Sequence, residues 1–168
     1  TRDVGGDENF AGYLLDPATG RARLMTEPGT RNQGFIWSDD GEQIAWSYVP
    51  SSEPNYDVFV GDPNNAATRR QVYDGEGAVV PIDFSADGRR LLVQRYVSIA
   101  ESHISILDIE SNAVTRIAPD VTVSYGGGEF TPDGRAIIVL SDENSQFQRL
   151  MRIDLASGQR SVISPAIN

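Results

Sequence analysis

Cysteine is absent from this sequence, and no apolar run approaches the roughly 20 residues that a membrane-spanning helix needs. Without cysteine there is no disulfide framework and no thiolate ligand for a metal. The compartment stays open, because cysteine-free domains occur in reducing and oxidising spaces alike. We expect a soluble protein of the cytoplasm or the periplasm. The chain starts at Thr1, so the lack of a signal peptide there does not decide between the two.

Positive charge is in short supply. The chain has 14 basic against 24 acidic residues, which gives a formal net charge of −10. Such a surface repels the phosphates of nucleic acid, so we expect no nucleic-acid partner. The composition otherwise fits one ordinary soluble domain, with 39% hydrophobic and 23% charged residues.

An internal repeat organises the whole sequence. Four aspartates follow one another at a spacing of 46 residues: Asp16, Asp62, Asp108 and Asp154. A second phrase, aromatic-Ser/Thr-x-Asp-Gly, occurs three times in step with them, in "WSDDGEQIAWS", "FSADGRRLLVQ" and "FTPDGRAIIVL". The aspartates of this phrase are Asp40, Asp87 and Asp133. A period of this length is typical of repeat architectures.

Each repeat contains four short segments rich in Val, Ile and aromatic residues, separated by turn formers, which predicts four β-strands. The Asp-Gly phrase lies between the first and second strands, where Asp accepts bonds from neighbouring backbone amides and Gly takes a positive φ. Four positions after each spaced aspartate stand Gly20, Ala66, Asn112 and Gly158, and three of these residue types tolerate the left-handed conformation of a tight hairpin. We therefore expect both sets of aspartates to be turn residues. No D-x-[DN]-x-[DN]-G calcium loop is present, and we expect no metal and no cofactor.

Four-stranded units of this length predict the blades of an all-β protein, a partial β-propeller. We assign a half blade to residues 1–31 and complete blades to residues 32–78, 79–123 and 124–168, which together form a single domain. The aromatic residues that end the innermost strands, Trp37, Phe84 and Phe130, should pack between neighbouring blades. Because a propeller normally closes its ring with four to eight blades, we expect the chain to be a piece of a longer polypeptide. Expressed alone, it should be poorly stable or associated, since open blade faces expose apolar surface.

These phrases resemble the N-terminal propeller of the prolyl oligopeptidase family of serine peptidases, in particular bacterial members related to acylaminoacyl and dipeptidyl peptidases. The strings that carry the likeness are "TRDVGGDENFAGYLLDPATG", "RYVSIAES" and "SDENSQFQRL", and it covers nearly all 168 residues. The aromatic-Ser-x-Asp-Gly phrase is shared with TolB and related WD40-like propellers.

The resemblance implies a propeller that caps a separate α/β-hydrolase domain with a Ser-Asp-His triad and limits entry to short or unfolded peptides. This chain has no G-x-S-x-G nucleophile elbow. Its one histidine, His103, stands in a polar and variable repeat position, where we expect a solvated surface residue. We therefore predict no catalytic residue here. The paired Glu-Glu that dipeptidyl peptidases use to hold a substrate amino terminus is also absent.

Acidic residues recur where the second and third strands of each blade join, and we name Glu8, Glu53, Glu101 and Glu143 as candidates that draw cationic peptide ends toward a channel. The expected partners are the hydrolase domain of a parent chain or another propeller copy, with peptides as possible ligands. Two alternatives stay open. One is a TolB-like propeller that binds protein partners, and the other is an open propeller that closes by oligomerisation.

Overall fold

The structure is a computed structural model that describes residues 1–3, 5–49 and 54–164. Its contacts divide the chain into two compact units, Thr1–Pro81 and Ile82–Asn168. The predicted all-β class is confirmed. The described residues contain three four-stranded antiparallel sheets and one two-stranded sheet, as expected for a partial β-propeller.

The four sheets follow one another along the chain. The two-stranded sheet pairs β1 (Tyr13–Leu15) with β2 (Ala22–Leu24). The next sheet contains β3 (Arg31–Trp37), β4 (Ile44–Val49), β5 (Asp57–Gly61) and β6 (Arg70–Tyr73). The third contains β7 (Ala78–Phe84), β8 (Arg90–Ser98), β9 (Glu101–Asp108) and β10 (Val114–Ile117). The fourth contains β11 (Tyr125–Phe130), β12 (Ala136–Ser141), β13 (Arg149–Asp154) and β14 (Arg160–Val162).

Every four-stranded sheet is a meander, with its strands hydrogen-bonded in chain order. The strands fall on the segments that the repeat predicted. The blade boundaries themselves, after residues 31, 78 and 123, stay a prediction.

The Asp-Gly phrase forms the same hydrogen-bonded turn in all three sheets. In the third sheet, Ser85 Oγ donates to Asp87 Oδ1 at 2.6 Å and accepts from the Arg90 amide at 3.0 Å, while the Arg89 amide donates to Asp87 Oδ1 at 3.1 Å. Ser38 with Asp40 and Thr131 with Asp133 repeat these bonds, with the same 2.6 Å hydroxyl–carboxylate distance. The glycine that follows each aspartate has a φ between 64° and 72°. Asp40, Asp87 and Asp133 are therefore turn residues, as predicted.

The spaced aspartates close the outer hairpins. Asp16 accepts from Thr19 Oγ1 at 2.7 Å, Asp108 from Ser111 Oγ at 2.6 Å, and Asp154 from Ser157 Oγ at 2.9 Å. Four positions on, Gly20, Asn112 and Gly158 all have positive φ. The fourth member of that set, Ala66, instead begins a turn of 3-10 helix, Ala66–Thr68.

Each unit has its own hydrophobic core. The larger cluster lies in the second unit and includes Leu92, Ile104, Ile137, Val139 and Ile153, all at most 2% exposed. In the first unit Met25, Ile44 and Trp46 are buried, with Phe35, Tyr48 and Phe59 packed against them.

The predicted packing of Trp37 is wrong. Phe84 and Phe130 are buried, but Trp37 is 47% exposed. Phe130 is covered from the preceding sheet, where the Arg90 guanidinium lies 5.1 Å from its ring centroid. The sheet before Trp37 has only the two strands β1 and β2, so it lacks the inner strands that would cover this ring.

We predict that Ser85→Ala lowers the free energy of unfolding by about 1–3 kcal/mol, because the partly buried Arg90 amide loses its acceptor and Asp87 loses its hydroxyl donor. Urea denaturation measures the change. Ser161→Ala, at an exposed position of β14, is the matched control and should stay within about 0.5 kcal/mol. Equal stability of the two variants would contradict the structural role of the turn.

We also predict that the protein loses stability in acid. Hydrogen bonds from the hydroxyls of Ser38, Ser85 and Thr131 lower the pKa of the aspartates that they contact. A lowered pKa in the folded state stabilises the protein above the unfolded value of about 3.9, and that contribution disappears as the pH falls through the folded value. The urea midpoint should therefore be constant near pH 6 and fall below pH 4. A midpoint that does not change down to about pH 2.5 would rule this out.

Candidate functional site

The four candidate acidic residues occupy different surroundings. Glu8 is exposed, has a φ of 58°, and lines a cavity of about 500 Å³ together with Phe10 and Phe35. Glu53 lies outside the described residues. Glu101 begins β9, and its Oε1 lies 2.8 Å from His103 Nε2. The structure brings none of these together in one hydrogen-bonded cluster, and their attraction of peptides stays a prediction.

Glu143 is largely buried and forms an ion pair. Its side chain is 12% exposed, and its Oε1 forms an ion pair with Arg160 Nε at 3.1 Å. Arg160 also binds both carboxylate oxygens of Asp120, at 3.1 and 3.3 Å. Burial, followed by the charge of Glu143, raises the pKa of Tyr125 to about 12, so this phenol stays protonated. Glu143 therefore belongs to an ionic network with Arg160 and Asp120, and its attraction of peptides stays a prediction.

His103 is less exposed than the sequence indicated. Its side chain is 16% exposed and pairs with Glu101 across the face of β9. Among the described residues, no serine hydroxyl hydrogen-bonds to His103, so no nucleophile–base pair is present there. The described residues also contain no group of three or more His, Asp or Glu side chains that could hold a metal ion.

One hairpin has an exposed apolar tip that was not predicted from the sequence. Strands β8 and β9 have nine and eight residues, while their counterparts β4, β5, β12 and β13 have five or six. The extension carries Tyr96 and Val97 into solvent and leaves Ile99 89% exposed. The hairpin loop between β12 and β13 likewise exposes Phe147, at 64%. Exposed apolar side chains of this size, grouped on hairpin tips, are typical of contact surfaces.

A second feature that sequence reasoning missed is a cavity of about 400 Å³ in the first unit. Trp46, Tyr48 and Phe59 form its wall, and Glu27 and Arg69 also line it. The sequence signal for this cavity is that its aromatic residues are not aromatic at the equivalent positions of the other repeats.

Within the described residues, no helix has both the length and the apolar character needed to cross a membrane.

Comparison with solved structures identifies the same fold in proteins of different function. TolB from Acinetobacter baumannii matches with a TM-score of 0.73 and 19% identity, over 94% of this chain and 38% of that one. A puromycin-hydrolyzing peptidase from Mycobacterium tuberculosis matches with a TM-score of 0.72 and 14% identity, over 92% of this chain and 26% of that one. An oligogalacturonate lyase in complex with manganese gives a TM-score of 0.67 and 16% identity, over 86% and 41%.

The chain thus spans well under half of each of these proteins. No family model matches the sequence, and no curated protein matches it. The likeness at these identities establishes the propeller fold, and a shared fold does not by itself fix the function.

We predict that Glu143→Ala lowers the free energy of unfolding by about 1–3 kcal/mol, because the partly buried Arg160 loses its ion-pair partner. Glu42→Ala, at an exposed turn position, provides the control and should change stability by less than about 0.5 kcal/mol. Thermal unfolding followed by circular dichroism compares the two. A Glu143→Ala protein as stable as the parent would mean that Glu143 is free for another role.

Proposed function

We propose that this chain is the non-catalytic propeller segment of a prolyl oligopeptidase-like serine peptidase, where it docks a hydrolase domain and restricts the entry of substrates. The observation that carries the proposal is the exposed apolar tip of the β8–β9 hairpin, Tyr96, Val97 and Ile99, on a fold that also occurs in a puromycin-hydrolyzing peptidase. Such a tip is costly to leave in water and is stabilised when another domain covers it.

A purely positioning role agrees with the chemistry of the described residues. The one histidine is paired with a carboxylate and has no serine partner, and most of the aspartates at the turns are held by local hydrogen bonds. The chain therefore contributes surface and shape, and the bond-breaking groups belong to the domain that it docks. Glu8, Glu53, Glu101 and Glu143 are the candidates for attracting cationic peptide ends to the entrance.

A TolB-like module that binds protein partners is the second candidate. The match to TolB, with 94% of this chain covered, favours it as much as the peptidase match favours the first. Under this alternative the same apolar tip contacts a separate protein instead of a domain of the same polypeptide. An open propeller that closes its ring by oligomerisation is the third.

Two measurements on the natural polypeptide distinguish these functions. They are its intact denatured mass and its reaction with a fluorophosphonate probe for active serines. The proposal predicts a mass several times 18.3 kDa and one labelled serine outside residues 1–168. A mass near 18.3 kDa without labelling contradicts it and favours the oligomeric ring. A larger mass without labelling favours the TolB-like module.

A separate variant tests whether the tip of the β8–β9 hairpin is the docking surface. Ile99→Asp should loosen the hydrolase domain from the propeller, because a carboxylate placed in an apolar interface must be desolvated. Limited proteolysis of the natural polypeptide reports the loosening as faster cleavage between the two domains. Val114→Asp, at an exposed apolar position on β10, is the matched control. Equal cleavage rates in the two variants would exclude the tip as the docking surface.

A further inference from the structure

The cavity in the first unit has an aromatic wall that the other sheets lack. Trp46 and Phe59 face each other across β4 and β5, with ring centroids 5.8 Å apart, and Tyr48 lies 5.1 Å from Phe59. The strand register identifies the counterparts of this pair without ambiguity. Where this sheet pairs Trp46 with Phe59, the third sheet pairs Val93 with Ser105 and the fourth pairs Val139 with Met151. The propeller scaffold therefore does not require these rings.

A glycine beside this wall makes room for an arginine. Ile44 pairs with Gly61, whereas the equivalent pairs are Leu91 with Leu107 and Ile137 with Ile153. A Cβ atom at Gly61 would come within 3.0 Å of Arg69 Cγ, so the stem of Arg69 occupies the space that a leucine or isoleucine fills in the other sheets. The 3-10 turn Ala66–Thr68 directly precedes Arg69 and is absent from the outer hairpins of the other described sheets.

Arg69 lines the cavity together with Glu27. The residue is half-buried, and its side chain makes no hydrogen bond or ion pair with any residue that the structure describes. Burial, and then the neighbouring charge of Arg23, lower the pKa of its guanidinium, while the charge of Glu27 raises it, and the group stays protonated at neutral pH. Because Arg69 forms no hydrogen bond to Glu27, its planar guanidinium can bind the carboxylate of a ligand through two parallel hydrogen bonds.

We propose that this cavity binds a small carboxylate with an aromatic or branched apolar body, such as an N-acylated amino acid or the C-terminal residue of a short peptide. The carboxylate pairs with Arg69, and the apolar body lies against Trp46, Tyr48 and Phe59. A volume of about 400 Å³ is within the range of small-molecule sites. The inference depends on this cavity alone and not on the peptidase proposal.

The natural polypeptide, titrated by calorimetry with N-acetylphenylalanine, tests the proposal. N-acetylphenylalaninamide has the same ring and no carboxylate, so it should bind about tenfold more weakly or not at all. Saturation-transfer NMR on the ligand should show the ring protons closest to the protein. A peptide that ends in phenylalanine distinguishes an N-acylated amino acid from a peptide C-terminus as the ligand. It binds only if the cavity is open enough to admit the residues that precede the phenylalanine.

Variants assign the binding to Arg69. Arg69→Gln should weaken binding of the acid about tenfold and leave binding of the amide unchanged, and Arg69→Lys should have an intermediate effect. Arg21→Gln, at an exposed arginine in the outer hairpin of the two-stranded sheet, should bind like the parent. Circular dichroism checks that each variant is folded. If Arg69→Gln does not fold, Phe59→Leu tests the site independently, because it removes an aromatic ring that contacts the ligand.

Three results would overturn the proposal. They are the absence of saturable binding up to about 10 mM acid, equal affinity for the acid and the amide, and an Arg69→Gln protein that binds the acid as the parent does.

Discussion

A single hydrogen-bonded turn, repeated three times, fixes the geometry on which each four-stranded sheet depends. A hydroxyl donates to the carboxylate two residues later, and two backbone amides donate to this pair from the start of the next strand. The bonds settle where the first strand ends and the second begins. Because side chains alternate between the faces of a strand, that register also decides which residues enter the core. An aspartate therefore recurs at the position of Asp87 in each repeat for a structural reason.

With the turns fixed, the repeats differ on the faces and tips of the sheets. Val93 and Val139 fill their core positions with the same side chain, while the equivalent Trp46 forms the wall of a cavity. The strands of the β8–β9 hairpin are longer than their counterparts, and its tip carries apolar residues into solvent at Ile99. The scaffold does not require these departures from the repeat, and they lower its stability. Binding functions are therefore expected where they occur.

The sequence predicted the architecture because the repeat is local. Strand phrases, the Asp-Gly turn and the left-handed positions at Gly20 and Gly158 all depend on residues a few positions apart. Prediction from the sequence failed where the exposure of a side chain depends on packing against residues far away in the chain. The exposure of Trp37 depends on strands that the preceding sheet lacks, and the burial of Glu143 depends on Arg160, which is 17 positions away. The Arg69 cavity was not predicted because it depends on three differences between the repeats, at Trp46, Phe59 and Gly61. Each of these differences is ordinary when it is considered alone.

The central claim is that the aspartates of the Asp-Gly phrase are turn residues held by hydroxyl and amide donors. Carbon-detected NMR titration of the side-chain carboxyls of Asp40, Asp87 and Asp133 in the folded protein tests it most directly. The structure predicts that all three titrate below the usual pKa of about 3.9, because the donors stabilise the charged form. A pKa at or above that value for all three would mean that the turn bonds do not form, and would contradict the account.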